Sequence, residues 1–298
     1  MLTDEELTCL RKAGRAVSVA LKKMRYEVHE GAPVIELCEK AEAIIRAMDC
    51  EPAFPCNISI NEVAAHYTSH AEDTLSIPPK SIVKIDVGAH ANGYIADAAI
   101  TVALSDEHEP LVTAAEKALQ SAIDSIRPGM RVGVLGSIIE STIKSFGFNP
   151  VRNLSGHMLK RFTLHGEKNI PNVPVESRVT VEVGEVYAIE PFSTNGVGLV
   201  VDAPPTYIFR YMSPRRASKE ERRILQGIWE RFRGLPFCDR WVKDLIPERP
   251  LQKLLELTSK GSLFGYHVLV ERSKGLVAQA EHTVILHEDG VEVTTSGT

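Results

Sequence analysis

The sequence predicts an α+β domain that carries a helical insertion. Three observations point there. Two apolar, β-prone runs meet at Asn92-Gly93, stretches at helical spacing alternate with further β-prone runs, and strand-rich character turns helical after about Pro204 and returns near Gly265. The insertion is bounded as 201–262, which leaves 1–200 and 263–298 as the main domain.

Taken in order, Thr3 and Glu6 form a capping box, and Leu7, Leu10, Ala13, Val17 and Leu21 follow it at helical spacing. A second helix covers Val34 to Met48. Ser59 to Val102 reads as strands with turns. Asn-Gly supplies the two positive φ angles of a type I′ turn, setting Ala91 opposite Tyr94, Gly88 opposite Asp97 and Asp86 opposite Ala99. Pro110 to Ile126 reads as a helix stopped by Arg127-Pro128-Gly129, and Val134 to Phe146 as another ending at Gly147. Strands return over about 151–200, notably Val179 to Val183 and Val186 to Glu190. In the insertion, Ser218 with Glu221 opens a helix that carries Ile224, Leu225, Ile228, Trp229 and Phe232 on one side, and a shorter helix surrounds Leu251 to Leu257. Leu276 to Leu286 is the closing strand.

At 298 residues, 44% hydrophobic and 24% charged, the chain has the composition of a globular protein with ample material for a core. No apolar run approaches the roughly 20 residues of a membrane span, and the acidic start Met1-Leu-Thr-Asp-Glu-Glu lacks the order of a signal peptide, so a cytoplasmic protein is expected. Cys9, Cys38, Cys50, Cys56 and Cys238 are scattered without a CxxC spacing, which argues for free thiols and against a thiolate zinc site. The net charge of −5 carries no global signature of nucleic-acid binding. Residues 201–260 nevertheless hold 13 Lys and Arg against 8 Asp and Glu, a local charge of +5. A docking surface and a solvated helical face both fit that excess.

Alternation makes Asp86 and Asp97 diagonal neighbours on one face of the hairpin, with Cβ atoms under about 7–8 Å apart. Two readings are open: solvated carboxylates on a polar face, or a buried pair. Ile82, Val83, Ile85, Val87, Ile95, Ala98, Ala99 and Ile100 make both strands unusually apolar, and buried carboxylates need a partner. Three further segments supply metal-ligand types. Gly156-His157 and His165-Gly166 pair imidazoles with glycines, Glu190 ends an apolar run, and Glu281 shares a strand face with Gln279 and Thr283 while His282 points away. Oxygen-rich donors without thiolate suit Mn, Fe or Co, with zinc still open.

Asp86, Asp97, His157, Glu190 and Glu281, with Ala64-Ala65-His66-Tyr67-Thr68 upstream, strongly resemble the methionine aminopeptidases of type II in their short form. The motifs Arg152-Asn153-Leu154-x-Gly156-His157, Gly184-Glu185-Val186-Tyr187-Ala188-Ile189-Glu190 and Gln279-x-Glu281-His282-Thr283 carry the resemblance over nearly the whole chain. It implies a pseudo-symmetric pita-bread metallopeptidase with two divalent ions (Co, Mn, Fe or Zn). Asp86 would chelate one ion, Asp97 and Glu281 would bridge both, and His157 and Glu190 would complete the second site. A metal-bridging hydroxide would attack the methionyl carbonyl and Glu190 would shuttle the proton. His66 and His165 would be catalytic and contact the substrate, and Phe54, Leu164, Phe192 and Tyr266 would form the methionine pocket.

The implied partners are nascent chains and peptides beginning with Met, acted on by a monomer with no membrane attachment. Arg215, Arg216, Arg222 and Arg223 of the insertion are expected to dock near ribosomal RNA. Two departures from the family pattern stand out: Ala280, where the motif is usually aromatic, is expected to leave space beside Glu281, and His70 stands where proline is frequent. An inactive binding member of the fold is the alternative of another class, but such relatives lack metal ligands. An Xaa-Pro peptidase is the nearer alternative, and Asp86 lies early for its usual N-terminal domain.

Overall fold

Two helix pairs, each laid on an antiparallel sheet, organise the computed structural model, which describes residues 2–297. Helix α1 (Asp4–Glu27) begins at the Thr3 and Glu6 capping box, both hydrogen bonds of which are formed. Its stripe through Ala13, Val17, Ala20 and Met24 joins Leu37, Ala41 and Ile45 of α2 (Val34–Arg46) against Ile85, Val87, Ala96 and Ala98 of the hairpin. The hairpin strands Ile82–Ala91 and Tyr94–Ala103 pair in the register that the Asn-Gly turn dictates, including Gly88 with Asp97 and Asp86 with Ala99. Asn92 and Gly93 adopt φ of 52° and 87°. Gly93 has a second reason to lack a side chain, because a Cβ there would lie 2.4 Å from the Phe162 ring. With one hairpin face on the helices, the face bearing Lys84, Asp86 and Asp97 turns toward the other half of the molecule.

The second half repeats the scheme. Helices α3 (Glu109–Ser125) and α4 (Val132–Ser145) bring Leu111, Ala115, Leu135, Ile139 and Ile143 onto Ile170, Tyr187, Ile189, Val284 and Leu286. The underlying five-stranded sheet runs Gly290–Val293, His282–His287, Val186–Ile189, Ser155–Leu159, Asn169–Pro171. Gly156 permits the close approach of its own sheet, since a Cβ there would sit 2.3 Å from the Ala188 carbonyl.

Three expectations need correction. The strand from Leu276 to Leu286 is broken: Val277–Gln279 pairs with Phe192–Thr194, His282–His287 pairs with Val186–Ile189, and Glu281 between them bonds to Ala99 of the first half. Nor does it close the chain, because Gly290–Val293 folds back onto it. Val179 to Val183 forms no strand. Its backbone bonds the turn at 129–132, leaving Val179 and Val183 exposed while Val181 enters the core.

The segment 201–262 is not helical from its start. Strand Val200–Tyr211 runs along Leu263–Glu271 in a four-stranded sheet, and Pro204 and Pro205 fall at a register shift, where their missing donors do no harm. The helical part begins at α5 (Lys219–Phe232) and ends with α6 (Pro250–Ser259). Leu225, Ile228, Leu254 and Leu257 cover one face of the sheet through Phe209 and Leu263, and the opposite face presents Ile208 and Tyr266 to a cavity. Among the described residues, no helix is long and apolar enough to cross a membrane.

Candidate metal centre

Where the two halves meet, a cavity of about 450 Å³ gathers Asp86, Asp97, His157, Glu190 and Glu281 together with His66, His165, Phe54, Leu164, Phe192 and Tyr266. The geometry follows from the chain's registers. Asp86 and Asp97 sit diagonally on the inward hairpin face, His157 lies opposite Ala188 just before Glu190, and Glu281 is fixed by its two backbone bonds to Ala99, 3.0 and 3.4 Å long. One donor atom each from Asp97, His157 and Glu281 lies within 4.8 Å of the others. The His157 Nε2 stands 3.5 Å from Glu190 Oε1 and 3.8 Å from Asp97 Oδ2.

Such a cluster is electrostatically unfavourable by itself. Burial raises the pKa of Asp86 to about 7, and burial together with neighbouring carboxylates raises Asp97, Glu190 and Glu281 well above the ordinary range. Burial, then His165, pushes His157 down, so the imidazole is a poor counter-ion for four carboxylates. The Gln279 amide is a neutral donor that helps, reaching Glu281 at 3.2 Å and Glu190 at 3.5 Å. Oδ1 of Asp86 and Oδ1 of Asp97 are buried with no hydrogen-bond partner among the described residues. Orphaned carboxyl oxygens beside a neutral imidazole fit hard or borderline divalent cations, which would stabilise the charged form, and the set holds no thiolate. The cavity therefore suits metal.

His66 follows strand Val63–Ala65 with φ of 66°, a left-handed conformation that costs a non-glycine residue of order 1–3 kcal/mol. Its Nδ1 bonds the His267 carbonyl at 3.1 Å, which requires the proton on Nδ1 and leaves Nε2 as an acceptor in the neutral ring. Burial lowers its pKa. His165 reaches the cavity on an excursion closed by the Gly166 N–H donating to the Met158 carbonyl at 2.8 Å. Its ring centroid is 4.4 Å from that of His157, and its pKa is pulled down to about 4, first by burial and then by His66 and Arg210. Phe54 and Phe192 are buried apolar walls.

Ala280 departs from expectation: it packs in the core with residues of α3 and α4 and is not among the residues lining the cavity, on the side away from Glu281. Several contributors carried no distinctive sequence signal. Ile208 and Pro236, from a region read as helical, also line the cavity. Gln279 and Thr283 were legible only as residues sharing the face of Glu281.

Comparison with known proteins bears on the family and the fold. Residues 8–287 match metallopeptidase family M24. The chain is 44% identical to the methionine aminopeptidase of Methanothermobacter thermautotrophicus over 289 residues, covering 95% of this chain and 97% of that one. In fold it superposes on the methionine aminopeptidase of Thermotoga maritima with a TM-score of 0.73 at 24% identity, covering 99% and 98% of the two chains. The prolidase of Pyrococcus furiosus gives a TM-score of 0.65 at 18% identity, covering 99% of this chain and 65% of that one. These neighbours share the pita-bread architecture built here from two helix-on-sheet halves. With the match spanning nearly its whole length and that relative well above family-level identity, this chain belongs to metallopeptidase family M24, among the methionine aminopeptidases.

Proposed function

We propose that this protein removes the N-terminal methionine from nascent proteins and peptides, using two divalent ions (Co, Mn, Fe or Zn) held by Asp86, Asp97, His157, Glu190 and Glu281. The observation that carries the reading is the juxtaposition of four carboxylates, Asp97 and Glu281 buried and Asp86 and Glu190 partly so, and one imidazole with aromatic and aliphatic walls in a single cavity. In this assignment Asp86 would serve one ion, Asp97 and Glu281 would be shared by both, and His157 and Glu190 would complete the other site. When bound, the ions supply Lewis acidity and lower the pKa of the attacking water.

The chain's own residues do the rest. Phe54, Leu164, Phe192 and Tyr266 receive the methionine side chain, whose thioether suits aromatic surroundings. The Nε2 acceptor of His66 takes the N–H of the scissile amide, and His165 steadies the carbonyl side. Glu190 passes the proton to the leaving amine. The reaction requires a free α-amine, which makes the protein an exopeptidase. Methionine release from Met-Ala-Ser, with none from its N-acetyl form or from Ala-Pro, is the expected result. Cleavage of Ala-Pro in preference to Met-Ala-Ser would overturn the reading.

We also propose that Arg215, Arg216, Arg222 and Arg223, all exposed at the start of the helical insertion, bring the enzyme to the ribosome.

A further inference from the structure

Strands Val200–Tyr211 and Leu263–Glu271 pair Ile208 with Tyr266 and, one step further along the same face, Arg210 with Phe264. Ile208 and Tyr266 line the cavity, so Arg210 and Phe264 stand at its edge. The rings form a continuous run: His66 to Tyr266 is 5.5 Å between centroids, Tyr266 to Phe264 is 5.0 Å, and the Arg210 guanidinium carbon lies 5.8 Å from the Phe264 centroid. Phe264 is exposed and Arg210 half-buried.

Arg210 is held but not neutralised. Arg11, Arg231 and Arg240 each find a carboxylate within 2.8 Å, whereas Arg210 makes no ion pair among the described residues. Its Nε is buried without a hydrogen-bond partner among the described residues. A buried donor without an acceptor is unfavourable, and a ligand that brings an anionic oxygen relieves the cost. With methionine and the α-amine inside the cavity, a peptide that leaves past this edge would bring its next residues to Arg210.

We propose that Arg210 is a specificity-determining residue that recognises a carboxylate on the substrate just beyond the scissile bond. The inference rests on the aminopeptidase reading above. The carboxylate has two sources, an acidic side chain at the third residue or the free C-terminus of a short peptide. Both present the planar anion that a guanidinium binds through two hydrogen bonds.

Two peptide pairs distinguish the sources: Met-Ala-Asp-amide against Met-Ala-Asn-amide, and Met-Ala-Ser against Met-Ala-Ser-amide. The readout is the ratio of kcat/KM within each pair, which is insensitive to the fraction of active enzyme. The native protein should favour the acid in at least one pair by about 3- to 10-fold, mainly through KM, as expected for a partly exposed charge pair. Arg210→Met should bring that ratio close to one, Arg210→Lys should restore part of it, and Arg210→Glu should reverse it. Equal ratios in the native protein and Arg210→Met, or no preference for the acid in either pair, would overturn the proposal. Absence of methionine release from all four peptides by the native protein would instead overturn the aminopeptidase reading, and this inference with it.

Discussion

The hydroxyl of Thr283 accepts the backbone N–H of Asp97 at 2.7 Å and donates to the Asp97 carbonyl at 2.8 Å, across 186 positions of sequence. Thr101 does the same in the opposite sense, donating to the Gln279 carbonyl at 2.6 Å and accepting its N–H at 2.9 Å. Two threonines thus join the hairpin of the first half to the broken strand of the second, on either side of Glu281. The candidate metal centre lies along that seam.

Replacing Thr283 with valine keeps the shape and leaves a buried N–H and C=O of Asp97 unpaired. Each lost bond of this kind costs about 1–3 kcal/mol. Thermal unfolding should begin at lower temperature, and titration with Mn should give weaker binding, while Thr283→Ser should recover most of both. Unchanged metal affinity in a destabilised Thr283→Val protein would show that the seam supports the fold and not the site.

His66 and Asp97 separate chemistry from metal binding. Asp97→Ala should lower metal content and activity together, because under the proposed assignment both ions would lose an anionic ligand. His66→Ala should keep its metal and lose kcat by about 10²–10⁴, the usual reach of a positioned acid or base. Elemental analysis of the two purified variants beside their turnover checks this. Metal loss in His66→Ala would make that histidine a ligand.

The helical insertion should respond to acid through Glu221. Its carboxylate accepts from Lys253 at 2.8 Å and Lys260 at 2.7 Å, and these bonds with that of the Ser218 backbone hold its pKa at about 2, below the ordinary 4.5. Because the folded value is the lower one, the stability it contributes is complete above about 4.5 and is lost as pH falls toward about 2. Tryptophan fluorescence during acid titration should show Glu221→Gln less stable than the native protein near pH 6, with the gap closing by pH 2. A gap that persists at the lowest pH would assign the difference to packing instead of charge.

Reversing Arg215, Arg216, Arg222 and Arg223 to glutamate should abolish co-sedimentation with ribosomes at low salt and leave hydrolysis of short peptides intact. The native protein's association should itself weaken steeply with added salt. Ribosome binding that survives the reversal would remove these residues from the interface.

Much of this arrangement is local and therefore readable from sequence. Asn92-Gly93 sets a register in which Asp86 and Asp97 can only be diagonal neighbours, and the capping pairs Thr3 with Glu6 and Ser218 with Glu221 mark the starts of α1 and α5. What was not readable depends on partners far along the chain. Glu281 breaks its strand because Ala99 captures its backbone, the valines at 179 and 183 are left outside because the turn at 129–132 claims the segment, and Pro204-Pro205 disguises a long strand by lying at its bulge. Arg210 was invisible for the same reason, since it lies in that disguised strand and its neighbour Phe264 is more than fifty positions away.

Metal-dependent release of methionine is the most direct test of the five proposed ligands. Protein stripped with chelator should release none from Met-Ala-Ser. Addition of Mn, Co or Fe should restore release, and calorimetric titration should saturate at two ions per chain. Undiminished release by protein shown to be metal-free would contradict the assignment of Asp86, Asp97, His157, Glu190 and Glu281 as a working metal centre.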